Sequence, residues 1–336
     1  MDPKKPCSHT AFWIALSIIG AFLFISMIMN MGFMFSLAAK SGTTAHKGGG
    51  GEDEFPQLVE KWSFGSGDVK AVRIPIQGAL FREAEEGFFR VRYDKIEAIL
   101  RQIRAAENDD DVKALIVEVS SPGGDITSAD EIYKALMDFK KSDADRKVVG
   151  FVRSMAASGG YYILAPSDWI VSEPTAILGS IGVIMQTLNW KNFSEKVGIT
   201  DTTIKSGANK DLLNPFHDVS SNQVAILQTM INSMYARFFS IVQTSRKIDA
   251  AKLKPVADGR IFDADFALEA NFVDQIGYWD DVMTKTAELL GEKSVKVVRY
   301  EVRTSFFETL ASAQTPLSLS RFVELGIPRF LYLWKP

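Results

Sequence analysis

At 336 residues, with 46% hydrophobic and 24% charged content, the chain has an ordinary globular composition and is long enough for one large domain or two small ones. A formal net charge of −3 and the lack of any Lys/Arg stripe argue against nucleic acid as a partner. The single cysteine, Cys7, precedes the first apolar segment, which excludes a disulfide within the chain and leaves a thiol remote from every other motif.

Residues 1–10 read as a short polar tail. From 11 to 39 the chain carries no Asp, Glu, Lys, Arg or His. As a helix this run would extend about 43 Å at ~1.5 Å per residue, enough to cross a ~30 Å hydrocarbon core. A cleavable signal peptide has an apolar region of only about 7–15 residues, although Ser36-Leu37-Ala38 offers small residues at a cleavage spacing. The expected element is a retained transmembrane anchor over 11–39. Lys4 and Lys5 before it nearly balance Lys40 and Lys47 after it, so the charge count alone is almost even. The expected placement is a single pass through a cell inner membrane, with the tail in the cytoplasm and the rest outside. Residues 40–55 contain Gly48 to Gly51 followed by Glu52, Asp53 and Glu54, a flexible solvated linker.

A folded domain is expected over 56–298. Its first clear strand is Val69 to Ile76, with apolar residues at alternate positions. Ile96, Ile99, Leu100 and Ile103 then give helical spacing. The apolar run Ala114 to Val119 ends in the loop Ser120 to Asp125, and a second helix carries Ile132, Leu136 and Phe139, with Thr127 or Ser128 as its N-cap. A strand over Val148 to Val152 leads into Ser154 to Tyr162. Trp169 to Val171, the loop Leu178 to Gly182, a strand Val183 to Leu188 and a short strand Thr202 to Lys205 follow. A long helix then runs from Ser220 to Lys247. Strands alternating with helices predict an α/β domain with a largely parallel sheet. Residues 299–336 read as a C-terminal extension. Its apolar and aromatic end, Gly326 to Trp334, is too short to span a bilayer and is left to pack on the domain, touch the bilayer or dock on a partner.

Ser158-Gly159-Gly160, directly after an apolar strand, suggests a sharp strand-to-helix turn. Such a turn presents a hydroxyl at a helix N-terminus beside free backbone N–H groups. A serine hydroxyl is a weak nucleophile and needs a base. Lys210, in Ser206-Gly207-Ala208-Asn209-Lys210-Asp211, can be that base, provided its amine is neutral, a state that burial favours. The G-x-S-x-G pattern of other serine hydrolases is absent around Ser158. His9 precedes the apolar run and His46 lies in the linker, so only His217 could join a folded site. A Ser158–His217–acid triad is the competing arrangement, and a polar loop residue is the plainer reading of His217. Gly123 and Gly124 would let backbone approach a tetrahedral intermediate closely, where N–H donors stabilise its oxygen. Tyr161, Tyr162, Ile181 and Val183 read as core or wall residues. The acidic runs 52–54 and 109–111 are spaced as solvated stretches. Neither a metal nor a cofactor is expected, since no His/Cys/Asp cluster and no phosphate-binding loop appears.

Ser121-Pro122-Gly123-Gly124, Ser154 to Tyr162, Leu178-Gly179-Ser180-Ile181-Gly182-Val183, Ser206 to Asp211 and Asp258-Gly259-Arg260 occur in this order. Together they resemble the signal peptide peptidase A family of membrane-anchored serine proteases, over about Val69 to Tyr278. The resemblance implies a fold related to crotonases and to the Clp proteolytic subunit, with spiralling strand–helix units. It implies Ser158 as nucleophile, Lys210 as general base, Ser180 as the hydroxyl that hydrogen-bonds the lysine, and an oxyanion hole from Gly123, Gly124 and Gly159. Peptide substrates such as remnant signal peptides, cleaved through an acyl-enzyme, follow from it. The family includes double-length chains with the lysine in the first half and the serine in the second. This chain has room for one half yet carries both residues. The expected partner is therefore a second copy, in a head-to-tail ring where Ser158 of one protomer meets Lys210 of its neighbour. Two other functions compete: a crotonase-type acyl-coenzyme A enzyme, which would need neither residue, and a non-catalytic membrane scaffold on the same fold.

Overall fold

The computed structural model describes residues 9–41, 54, 56, 58–82, 84–86, 92–301 and 330–333. The chain divides into two units, Met1–Gly50 and Gly51–Pro336. In the first, helix α1 (His9–Ser41) covers the uncharged run and begins slightly before it. Its side chains are described only at 13–14 and 16–30, where they are exposed. Among the described residues no helix is long and apolar enough to cross a membrane. The run expected to be the anchor, 11–39, lies within α1, and most of the expected tail and linker lie outside the described residues.

The second unit opens with β1 (Val59–Phe64), β2 (Val69–Gln77) and a small hairpin, β3 (Ala84–Glu86) and β4 (Arg92–Asp94). Helix α2 (Lys95–Glu107) starts where the Asp94 carboxylate accepts the N–H groups of Ile96 and Glu97. Next come β5 (Val112–Ser121), β6 (Gly123–Asp125), α3 (Ile126–Ser142), β7 (Lys147–Ala157) and α4 (Gly159–Leu164). Strands β8 (Trp169–Ser172), β9 (Ile177–Gly179) and β10 (Ile184–Met185) precede α5 (Lys191–Val197) and the long α6 (Ser221–Arg246). Then follow α7 (Ala250–Leu253), β11 (Ile261–Phe262), α8 (Ala264–Glu269), β12 (Gln275–Ile276), α9 (Trp279–Leu289), β13 (Val295–Glu301) and β14 (Phe330–Leu333).

The main sheet runs β1-β13-β2-β5-β7-β8-β12, with β9 continuing on β7 and β11 on β9. Its middle is parallel, while β1 and β11 pair antiparallel. Successive side chains of β5 point to opposite faces. Leu115, Val117 and Val119 join the larger core with α2, α3 and α4, and Ala114 and Ile116 join the smaller one that includes Val282 of α9. Burial on both faces explains why β5 reads as an unbroken apolar run. The exception, Glu118, is buried but held by Arg73 at 2.5 Å and Arg153 at 3.2 Å, as a buried carboxylate requires.

Several local expectations need correction. The N-cap of α3 is Asp125, not Thr127 or Ser128, because its carboxylate accepts both the N–H and the hydroxyl of Ser128. The strand expected over Val183 to Leu188 shrinks to β10. Thr202 to Lys205 forms no strand, since Ile204 stands 97% exposed with no neighbouring strand to pack against. Helix α6 follows the expected bounds closely, opened by a capping box between Ser220 and Gln223. Only its second half is buried, at Phe238, Ile241 and Val242.

Candidate active site

Strand β7 changes partner along its length. Through Val152 it pairs with β8, and from Met155 to Ala157 with β9. It ends at Ser158, which has φ 54° and ψ −118°. A non-glycine residue held there stores about 1–3 kcal/mol of strain and persists only where its surroundings over-determine it. They do. The Ser158 N–H donates to the Gly179 carbonyl at 2.8 Å, and the Ser158 carbonyl accepts from Tyr161 and Tyr162 at 3.0 and 2.9 Å, which starts α4. Ser158 is buried, and Gly159 follows as the first helical residue, in the turn whose N–H groups have no partner within the helix. The expected strand-to-helix turn is thus what the chain forms.

The Ser121–Gly124 loop packs directly on this turn. A Cβ added to Gly160 would lie 2.6 Å from the Ser121 carbonyl oxygen, so only glycine allows the approach. Ser121 donates its hydroxyl to the Gly78 carbonyl at 2.7 Å and accepts the Gly123 N–H at 3.1 Å. Gly123 has φ 93°, and a Cβ on Gly124 would meet the Leu80 backbone at 2.4–2.6 Å. The expected oxyanion donors therefore differ in state. The Gly123 N–H is engaged by Ser121, Gly124 sits in β6, and Gly159 lies at the start of α4.

Ser180 follows Gly179, the residue that receives the Ser158 N–H. It is 7% exposed, has φ 53°, and donates its own N–H to the Arg260 carbonyl at 2.7 Å. Arg260 is fixed in turn by Asp258, which it grips through Nε and Nη2 at 2.8 and 2.7 Å. That grip, with the Arg260 N–H, holds the Asp258 carboxyl down at about 2. The motifs around Ser121, Ser158, Ser180 and Asp258 thus converge on one place.

Among the described residues no hydrogen bond or ion pair ties the lysine motif to this corner. Lys210 is exposed, its N–H donates to the Gly207 carbonyl, and among the described residues no side chain pairs with its amine. The surrounding loop is held by its own contacts: Lys205 to Asp211 at 2.7 Å and Asn214 to Asp201 at 2.9 Å. Hydrogen bonding to Lys205 lowers the Asp211 carboxyl, and bonds from Thr203 and Asn214 lower that of Asp201. His217 belongs to this loop, with its ring nitrogens 3.4 Å from Asp201 and 3.7 Å from Asp211. Its partners there are loop acids, which fits the plainer reading of His217 as a polar loop residue.

One feature beside this turn was left open by the sequence. Strand β14, near the end of the chain, lies antiparallel on β6, with Leu331 opposite Asp125, Tyr332 opposite Gly124 and Leu333 opposite Gly123. Its other edge pairs with β10. An extended segment thus occupies the glycine strand beside the Ser158 turn. The only sequence signal was an apolar, aromatic stretch, which does not reveal its partner.

The sequence matches Peptidase family S49 over residues 140–293 and the Clp protease family over residues 87–165. The second match agrees with the α/β layers described above, which are of the Clp protease kind. An Enterococcus faecium protein named as a signal peptide peptidase, SppA, is 34% identical over 88% of this chain and 86% of its own length. A Methanocaldococcus jannaschii protein named as a protease is also 34% identical, over 58% of this chain and 61% of its own length. A chloroplastic serine protease SPPA of Arabidopsis thaliana is 27% identical over 54% of this chain, which spans 26% of that longer protein. On these matches the chain belongs to peptidase family S49 and is a serine peptidase.

Proposed function

We propose that this peptidase degrades remnant signal peptides or other membrane-derived peptides through an acyl-enzyme on Ser158. The observation that carries this reading is the seating of Leu331 to Leu333 on Gly123 to Asp125, beside the strained Ser158 turn. A strand edge that takes its own chain as an antiparallel strand suits an extended peptide, bound by main-chain hydrogen bonds. The substrate class is supported by the name of the Enterococcus relative, a signal peptide peptidase.

In the proposed reaction the Ser158 hydroxyl oxygen attacks the scissile carbonyl carbon while its proton passes to the Lys210 amine. The Gly159 N–H, at the helix start, faces the developing oxyanion, with the Gly123–Gly124 backbone on the other side. Collapse of the tetrahedral intermediate expels the amine product, which takes the proton from the lysine. Water, deprotonated by the same lysine, then hydrolyses the ester. Ser180, in the same corner as Ser158, would orient the incoming amine.

Lys210 of a neighbouring protomer is the proposed base. Within one protomer Lys210 stands exposed, whereas a lysine that serves as a base works from a dry surrounding. Around it Leu188, Trp190, Phe193, Val197, Ile199 and Ile204 are also exposed, an apolar surface that a second copy in a closed ring would cover. The uncharged 11–39 stretch is proposed to anchor each protomer in the inner membrane, with the peptidase unit on the extracytoplasmic side.

The test uses the full-length chain in liposomes with a signal-peptide-like substrate. The wild type is expected to cleave it and to be labelled at serine by a fluorophosphonate, and Ser158→Ala to do neither. Cleavage by Ser158→Ala would overturn the reading. Binding of an acyl-coenzyme A without labelling would put the crotonase-type activity in its place.

A further inference from the structure

Helix α4 has six residues, too few to hold its own direction, yet it carries the strained Ser158 at its start. Its position is fixed from outside by two fully buried tyrosines. Tyr161 donates its hydroxyl to the Phe272 carbonyl at 2.8 Å, a plain anchor to the core. Tyr162 is different. Its ring packs edge-on between Tyr133 and Phe238, with centroids 5.5 and 5.0 Å away, and its hydroxyl leaves the core to meet Asp130 Oδ1 at 2.5 Å. The same carboxylate oxygen accepts Arg237 Nε at 3.0 Å and Nη2 at 2.6 Å, and Arg237 Nε also lies 3.1 Å from the Tyr162 hydroxyl.

We propose that Tyr162, Asp130 and Arg237 act as a positioning clamp that registers the Ser158 turn against α3 and α6. The inference rests on Ser158 being the nucleophile. Each member comes from a helix that continues a different part of the site. Asp130 is on α3, which begins directly after the Gly123–Asp125 strand. Tyr162 is on α4, four residues after Ser158, and so one helical turn from it. Arg237 is on α6, the first helix after the Lys210 loop. An ion pair as exposed as Arg237 with Asp130 contributes little to folding by itself. What sets this one apart is its reach to a buried hydroxyl whose ring is in the core. Through that hydroxyl, a shift of α3 or α6 becomes a shift of the turn that aims Ser158, and sub-ångström aim matters to rate far more than to stability.

The experiment compares the full chain in liposomes with Tyr162→Phe, Arg237→Gln and the double variant, and reads kcat, KM, fluorophosphonate labelling rate and thermal midpoint. Tyr162→Phe keeps the buried ring, and Arg237→Gln changes a largely exposed side chain, so both are expected to fold. Each single change should lower kcat and labelling rate about tenfold, with KM held within about twofold. The double variant should lose no more than the worse single one, because the three groups act as a unit. Unchanged kcat and labelling in both single variants, with any loss confined to the thermal midpoint, would overturn the clamp. So would losses that multiply in the double variant. Ser158→Ala serves as the reference: turnover there removes the nucleophile reading itself, whereas a silent Ser158→Ala beside fully active clamp variants removes only the clamp.

Discussion

The Ser158 turn and the Lys210 loop carry the two halves of one proposed proton transfer, and the protomer builds them in opposite ways. Ser158 is buried, its own N–H and carbonyl are both hydrogen-bonded, and Gly160 lets the turn pack on the Ser121 backbone. Lys210 stands exposed in a stretch without helix or strand between α5 and α6, held by a few side-chain contacts of the loop's own. A nucleophile needs a rigid scaffold behind it, because its attack angle decides the rate. A lysine base needs a dry surrounding, because only the neutral amine accepts a proton. The protomer packs Ser158 firmly and leaves Lys210 exposed, and for this reason the proposal assigns the dry surrounding to a neighbouring copy.

The largest effects should come from breaking either half. Ser158→Ala and Lys210→Ala are each expected to reduce turnover by at least about 10⁴-fold, whereas His217→Ala, which alters only loop contacts, should keep most activity. Co-assembled Ser158→Ala and Lys210→Ala protomers should recover part of the wild-type rate, since some neighbours would pair an intact serine with an intact lysine. No recovery in demonstrably mixed assemblies would return both residues to one protomer.

A pair of glycine substitutions probes the same contrast by sterics alone. In Gly160→Ala the new methyl would sit 2.6 Å from the Ser121 carbonyl oxygen, a backbone atom that cannot swing away. The turn and the glycine loop must then separate, and kcat should fall about 10²-fold with a measurable loss of thermal stability. In Gly207→Ala, beside the lysine, the methyl meets nothing within 4 Å. Activity within about threefold of wild type is expected there. A strong loss in Gly207→Ala would mean that the lysine loop is as tightly packed in the assembly as the serine turn is in the protomer.

The two regions also differ in how far the sequence revealed them. The Ser158 turn was legible because its signals are local: an apolar strand, a serine and two glycines in direct succession. The bounds of α6 and the buried face of α2 were legible for the same reason. What escaped depends on partners distant in sequence. Thr202 to Lys205 has strand-forming residues but no strand beside it, so propensity lost to the missing partner. Thr127 and Ser128 looked like caps, yet Asp125 lies at the right distance to take the Ser128 N–H and left them inside the helix. The meeting of Tyr162, Asp130 and Arg237 rests on helix packing, and no spacing rule joins residues so far apart. The pairing of β14 with β6 is of the same kind.

That pairing gives a prediction of intermediate size. If Leu331 to Leu333 occupy the strand position of a substrate, removing residues 330–336 frees the β6 edge for competing peptides. Turnover at low substrate should rise about threefold, with little change at saturation, because a strand edge open part of the time lowers apparent affinity rather than chemistry. A synthetic Phe-Leu-Tyr-Leu peptide should inhibit the shortened chain competitively. An unchanged rate with no inhibition would assign β14 a purely structural part.

The smallest expected effect tests the support behind Ser180. Arg260 and its N–H hold the Asp258 carboxyl at about 2, below the ordinary carboxylate value of about 3.9, and the Arg260 carbonyl receives the Ser180 N–H. The unfolded chain therefore binds a proton at Asp258 more readily than the folded one. The resulting stabilisation is complete above the ordinary value and is lost as pH falls from about 4 through about 2. Both side chains are exposed, so solvent screens the pair and the contribution is modest. Asp258→Asn should lower the thermal midpoint by only about 1 °C at neutral pH. The gap to wild type should hold between pH 7 and 5 and narrow as pH drops below about 4, because wild type is then losing the charge the variant never had. A gap that stays constant down to pH 3 would show that the carboxylate charge contributes nothing, and that Asp258 serves the Ser180 corner only through the turn it makes with Gly259 and the Arg260 N–H.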